Sequence, residues 1–178
     1  MKKITAYLLA LVLACSCAFS MAGAYADVPG SSALADEVDK AVRYGLMNRY
    51  SQEQFGYSDP MTRAQFVVVL TRMMGWQTPS DEEAAASITP AMALPEELSS
   101  LYCRAVTCAA AHDVIEQTEP FRPNSPATRG EMAEMLVRAL GLKSCAADAE
   151  KENSLPFTDV IDKRGYIAVA YEIGMTKG

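Results

Sequence analysis

The chain has little of what catalysis and metal binding draw on. Its 178 residues hold one histidine, His112, and one tryptophan, Trp76. A lone imidazole in an Ala-rich helix end, with no nucleophile motif around it, argues against Ser-His or Cys-His chemistry. With no Cys-x-x-Cys pair beside it, it also argues against a zinc site. Of five cysteines, Cys103, Cys108 and Cys145 lie beyond the N-terminal leader, and an odd number in an exported chain cannot all pair internally. Cys103 and Cys108 are five apart in a helical pattern, so their side chains point to different sides. They read as small buried apolar residues. Positive charge is scarce too: 16 Lys and Arg stand against 22 Asp and Glu, a net charge of −6. Binding to nucleic acid is driven by clustered Lys and Arg that neutralise phosphates, and no such basic stripe exists here, which argues against nucleic acid as a partner. The carboxylates form no recognisable glycosidase pair. The chain is expected not to be an enzyme, and no cofactor is expected.

Long apolar runs are also missing. Lys2 and Lys3 precede a run from about Ile4 to Phe19, interrupted by Thr5 and Ser16 and shorter than the ~20 apolar residues that span a bilayer. Small residues and Ala24-Tyr25-Ala26 follow, the small-x-small pattern of a signal peptidase site. The expectation is a signal peptide over 1–26 and a secreted chain of 152 residues starting at Asp27, with a net charge of −8 once both lysines are gone. Two alternatives stay open: a transmembrane anchor, and a lipoprotein modified at Cys15 after Val12-Leu13-Ala14.

What the chain does have is a repeated segment. Phe55-Gly-Tyr-Ser-Asp-Pro-Met-Thr62-Arg63-Ala-Gln65-Phe66 aligns without a gap with Phe121-Arg-Pro-Asn-Ser-Pro-Ala-Thr128-Arg129-Gly-Glu131-Met132, at an offset of 66 residues. Repetition of a turn and a helix start implies stacked copies. Phe157-Thr-Asp159-Val160 echoes Tyr25-Ala-Asp27-Val28 and opens a third copy.

Periodicity predicts a helix over 34–44 with Leu34, Val38, Ala41 and Val42 on its buried face, stopped at Gly45-Leu46. A second helix is predicted over 62–74, with a Thr62/Gln65 capping box, a Met61/Phe66 staple, a face of Phe66, Leu70, Met73 and Met74, and a Gly75-Trp76 stop. The second copy repeats this with Thr128/Glu131, a face of Met132, Leu136, Ala139 and Leu140, and a Gly141-Leu142 stop. Leu94 to Ala111 reads as the first helix of the middle unit, burying Leu98, Leu101, Tyr102 and Ala105. Residues 166–173 read as a helix burying Ile167, Ala170 and Tyr171, with Gly174-Met175 matching Gly45-Leu46. Two stretches read as flexible linkers, 77–92 and 143–156.

Phe157-Thr-Asp159-Val160, Phe121-Arg-Pro123-Asn124 and Thr128-Arg129-Gly-Glu131, with Asp27-Val28, Gly45-Leu46, Phe55 and Thr62-Arg63-Ala-Gln65 in the same register, resemble the S-layer homology domain of bacterial cell-surface proteins. The resemblance covers nearly all of 25–178. It implies an all-α array of helix-loop-helix units in a pseudo-threefold bundle: unit 1 over 27–76, a divergent unit 2 over 93–142, and the start of an incomplete unit 3 over 157–178. It also implies grooves that bind secondary cell-wall polysaccharide, a peptidoglycan-linked polymer commonly carrying pyruvate ketals, and hence non-covalent anchoring at the bacterial cell surface. There are departures from the pattern. Gln65 stands where Glu is usual, the middle unit lacks Asp-Val before Leu94, and Ala33 stands where a Trp opens the first helix.

Arg63 and Arg129 each open a helix, where free amides and the dipole already favour an anion. A cation placed there twice calls for a negative group opposite, and a guanidinium can grip a carboxylate with two parallel bonds. The candidate ligand-binding residues are Arg63, Arg129, Thr62, Thr128, Asp27, Asp159 and Glu131; the alternative for the arginines is a solvated or internally paired surface position, for instance with a neighbouring unit's Asp27 or Asp159. The spacing from Gly45 to Thr62 puts a third Thr-Arg helix near position 191, past Gly178. The segment 166–175 is therefore expected to lack its partner helix, to fray, and to support self-association. An exported cell-wall enzyme and a lattice or protein-interaction subunit are the competing functions.

Overall fold

The computed structural model describes residues 25–29, 33–152, 155 and 157–176. The expected leader, apart from Tyr25 and Ala26, lies outside them, as does Cys15. Among the described residues there are seven α-helices, one 3-10 turn and no strand, so this part of the chain is all-α. It divides into two compact bodies, one ending at Asp59 and one beginning at Pro60. That boundary falls inside the segment 27–76 expected as one repeat.

The first body contains α1, Ala33–Arg43. Tyr25, Val28 and Phe55 are buried together, with Ala35, Val38, Val42 and Met47 packed around them. The apolar spacing is the expected helical one, but the face is rotated: Leu34 is exposed and Ala35 takes its place. Gly45 stops the helix at φ 69°, and the Leu46 N–H reaches back to Ala41 O at 2.9 Å, as a left-handed stop requires.

The second body contains α2 (Arg63–Met74), α3 (Asp81–Ser87), α4 (Ser100–Ala111), α5 (Arg129–Ala139), α6 (Lys143–Glu152) and α7 (Arg164–Glu172). Its main core joins Val67, Val68 and Leu70 of α2 to Ala105, Val106, Ala109 and Ala110 of α4, with Met92, Val114, Phe121 and Met135. A second cluster joins Ala133 and Val137 of α5 to Ala146 of α6 and Val169 and Ala170 of α7. Helix α5 thus sits between two cores and buries Ala133, Met135, Val137 and Arg138. The single face expected there, ending in Leu140, is corrected: Leu140 is exposed. Met73 in α2 and Tyr171 in α7 are likewise exposed. The start of α4 moves from Leu94 to Ser100, and Leu101 leaves its buried stripe.

Both expected linkers contain helices. Within 77–92, Ser80 and Glu83 form a complete capping box at the start of α3, and Ala84 and Met92 are each 1% exposed. Within 143–156, α6 supplies the packing partner that 166–175 was expected to lack. The premise for fraying and self-association there is removed. Trp76 and His112, the lone aromatic heterocycles of their kinds, stack at 3.9 Å and 5°. Trp76 packs against the main core.

The middle unit's helix stop was not visible as Gly-apolar because Asp113 fills the glycine position. It has φ 57°, and the next N–H, of Val114, reaches Ala109 O at 2.9 Å. A non-glycine residue in this conformation is disfavoured by Cβ sterics. Asp113 offsets that through charge: its carboxylate meets Lys143 at 2.9 Å and Arg138 at 3.4 Å, and its carbonyl accepts from Arg138 Nε at 2.8 Å. Lys143 and Arg138 hold its pKa below the ordinary 3.8 against the opposing effect of burial, the Lys143 hydrogen bond being the largest cause. Arg138, 3% exposed at its side chain, also pairs with Glu116 and Glu134.

Helices α6 and α7 approach closely at Gly165, where an added Cβ would lie 2.0 Å from the Ala146 carbonyl oxygen. The Gly165 N–H also donates to the Glu150 carboxylate. Gly165→Ala should therefore push the helices apart and destabilise the protein by about 1–3 kcal/mol, read as a lower urea midpoint. An unchanged midpoint would show that this contact is not tight.

Candidate functional site

Each Thr-Arg segment begins a helix in the way its sequence demands. Thr62 Oγ1 accepts from Gln65 N–H at 3.2 Å while Gln65 Oε1 accepts from Thr62 N–H at 2.8 Å. Thr128 and Glu131 repeat the exchange at 3.2 and 2.9 Å. Both predicted capping boxes are present. Thr62 and Thr128 act first on their own backbone.

The two helix starts meet different surroundings. In front of α2 lies the turn of the second copy: Ser125 O accepts from Arg63 N–H at 2.9 Å, Pro123 O from Ala64 N–H at 3.0 Å, and Met61 O from Ala127 N–H at 2.9 Å. The amides that could have held an external anion are thus spent on carbonyls. The Arg63 guanidinium finds its anion in Glu131, with the two side chains 15% and 18% exposed. It also lies 5.1 Å from the centre of the Phe121 ring, a cation–π distance. Glu131 serves two masters, one oxygen on Thr128 N–H and the other on Arg63. So Arg63 is internally paired, and its partner is Glu131 and neither Asp27 nor Asp159.

In front of α5 there is instead a cavity of about 610 Å³. Thr128, Arg129, Gly130, Glu131 and Ala133 form one side; Phe157, Asp159, Val160, Ile161, Asp162, Ile167 and Thr176 line the rest. Arg129 reaches Thr176 Oγ1 at 3.2 Å. Four of the seven residues singled out in the sequence therefore share one cavity: Thr128, Arg129, Glu131 and Asp159. The lining mixes a guanidinium, carboxylates, hydroxyls and apolar surface, a combination able to receive a ligand bearing both hydroxyls and an acidic group.

Asp27 belongs to the first body and does structural work there. Its carboxylate accepts from Phe55 N–H at 2.9 Å, Gly56 N–H at 2.6 Å and Tyr57 N–H at 2.9 Å. In the middle unit the Phe121 N–H, equivalent to that of Phe55, is taken by the Met92 carbonyl at 3.0 Å. A backbone oxygen at the end of the Pro90–Met92 turn replaces the aspartate, which is why no Asp-Val signal stands before Leu94. Phe157, Ile161, Asp162 and Ile167 also line the cavity; in the sequence only the Phe157-Thr-Asp159-Val160 echo points toward them.

Cys103, Cys108 and Cys145 are free, and burial raises the thiol pKa of Cys103 and Cys108. Among the described residues no group of His, Cys, Asp and Glu could hold a metal ion, and no helix is long and apolar enough to cross a membrane.

With these helix starts and the Asp27 cap in view, the comparison with protein families is decisive for the first repeat. Residues 24–67 match the S-layer homology domain. The matched span takes in Asp27, Phe55, Thr62 and Arg63. No curated protein matches the chain.

The Asp27 cap predicts a pH effect. Hydrogen bonds from Phe55 and then Tyr57 lower its pKa from 3.8, so its stabilising effect is present above that value and is lost as pH falls through the lower folded value. Asp27→Asn should speed amide exchange at Phe55, Gly56 and Tyr57 at neutral pH. Exchange equal to that of the parent would deny the cap its role.

Proposed function

We propose that this chain is a non-covalent cell-wall anchor that binds a secondary cell-wall polysaccharide in the cavity before α5. S-layer homology domains mediate cell-wall anchoring and are binding modules, and their presence implies association with the bacterial cell surface. The observation that carries the reading is the convergence of Thr128, Arg129, Glu131 and Asp159 on one cavity. Arg129 suits an acidic substituent such as a pyruvate ketal, since its planar fork grips a carboxylate with directed bonds. Asp159 and Asp162 accept hydrogen bonds from sugar hydroxyls, and Phe157 and Ile161 offer apolar surface to the ring's C–H groups. Arg63 has a different part, locking Glu131 and the Phe121 turn in place. Export belongs to the same proposal, and the reading of the chain as repeated units is supported by the recurring helix stops at Gly45, Asp113 and Gly174.

Charge-assisted bonds to arginine contribute roughly 1.5–3 kcal/mol, so Arg129→Ala should weaken co-sedimentation with pyruvylated wall sacculi by about tenfold or more. Arg129→Lys should recover only part, because the ammonium lacks the two-pronged geometry. Arg63→Ala should instead lower stability by ~2 kcal/mol by leaving Glu131 half-buried and unpaired. Parent-like sedimentation of Arg129→Ala, with loss of binding confined to Arg63→Ala at unchanged stability, would overturn this division of roles.

A further inference from the structure

Two small-x-small frames share Ala24, at the start of the first body's buried cluster. Ala22-Gly23-Ala24 would release a chain starting at Tyr25, and Ala24-Tyr25-Ala26 one starting at Asp27. As peptidase sites they have the same form. They differ in what they leave for the fold.

Tyr25 is 6% exposed, and its ring centre lies 5.7 Å from that of Phe55. It is one of the three buried side chains of the cluster that closes on α1. The Tyr25 carbonyl accepts from Val28 N–H at 3.1 Å, and the Ala26 N–H donates to Glu53 O at 2.8 Å. Cleavage after Ala26 would delete the ring and both bonds. It would also place a new ammonium on Asp27 itself, next to the carboxylate that three amides need. Cleavage after Ala24 keeps all of these and puts the new ammonium on Tyr25. The match to the S-layer homology domain begins at residue 24, at the edge of the same segment.

We propose that the leader is removed by hydrolysis of the Ala24–Tyr25 bond, so that the mature protein begins at Tyr25. Water adds across this amide; Ala24 departs with the leader as a carboxylate and Tyr25 keeps a free amine that takes up a proton. The catalyst is the leader peptidase of the export machinery, and no redox partner is involved. The processed protein then carries its complete first cluster. This goes beyond wall binding and stands or falls without any ligand.

The test is expression of the full precursor in a secreting bacterial host, followed by intact-mass measurement and N-terminal sequencing. Tyr25 is the expected first residue. A start at Asp27, a lipid-modified Cys15 or an unprocessed chain overturns the proposal. Two variants separate the frames: Ala26→Gln blocks only the downstream one and should be processed like the parent, whereas Ala22→Gln should accumulate precursor or shift the start to Asp27. The reverse pattern overturns the assignment. A chain beginning at Asp27 should also melt at least ~4 °C below one beginning at Tyr25; equal midpoints would remove the structural reason for the upstream cut.

Discussion

The start of the Arg63–Met74 helix cannot be left bare, because its first amides have no partner within the helix. The second body is built around how they are satisfied. Thr62 takes one, and the turn from Phe121 to Ala127 delivers two carbonyls to the next. Delivering them brings Phe121 under the Arg63 guanidinium and places Glu131 at its tip. Burying such donors unpaired would cost about 1–3 kcal/mol apiece. One helix start thereby fixes the turn, the entry into α5 and the packing of Phe121 into the main core.

Duplication of the Thr-Arg segment has produced two outcomes from one motif. The first copy is covered by the second copy's turn. The second copy faces a cavity whose far side is Phe157 to Asp162. The difference at the third helical position fits this division. Gln65 needs only to cap its own helix, and an amide suffices. Glu131 must also neutralise Arg63, which requires a carboxylate. The same residue ties the structural copy to the cavity-lining one.

Local rules made the helix starts and stops readable, because a capping box or a left-handed stop is written in adjacent residues. Thr62, Thr128, Gly45 and Gly174 behave as their neighbours require. Burial was read less well, since α5 packs on both sides and a one-face stripe is the wrong template for it. Helix α3 reads as linker in the sequence because a seven-residue Ala- and Glu-rich segment that buries only Ala84 shows no periodicity, although Ser80 and Glu83 carry a capping signal. Helix α6 was missed for a similar reason, with Ala146 alone buried. Asp113 at a glycine position and Met92 in place of Asp27 are tertiary substitutions. In each a distant partner is brought in by the fold: Lys143 and Arg138 reach the Asp113 carboxylate, and the Phe121 N–H donates to the Met92 carbonyl.

On the proposed function, the pairing of Arg63 with Glu131 and the larger opening before α5 assign wall-polymer recognition to the second Thr-Arg segment and not to the first. Titrating isotope-labelled protein with purified, solubilised pyruvylated wall polysaccharide and following backbone amide shifts tests this directly. Saturable shifts should cluster at Thr128 to Glu131, Phe157 to Asp162 and Thr176, while Thr62 to Ala64 and Pro123 to Ser125 stay in place. Shifts centred on Arg63 and the Phe121 turn, with residues 157–162 unmoved, would contradict the account.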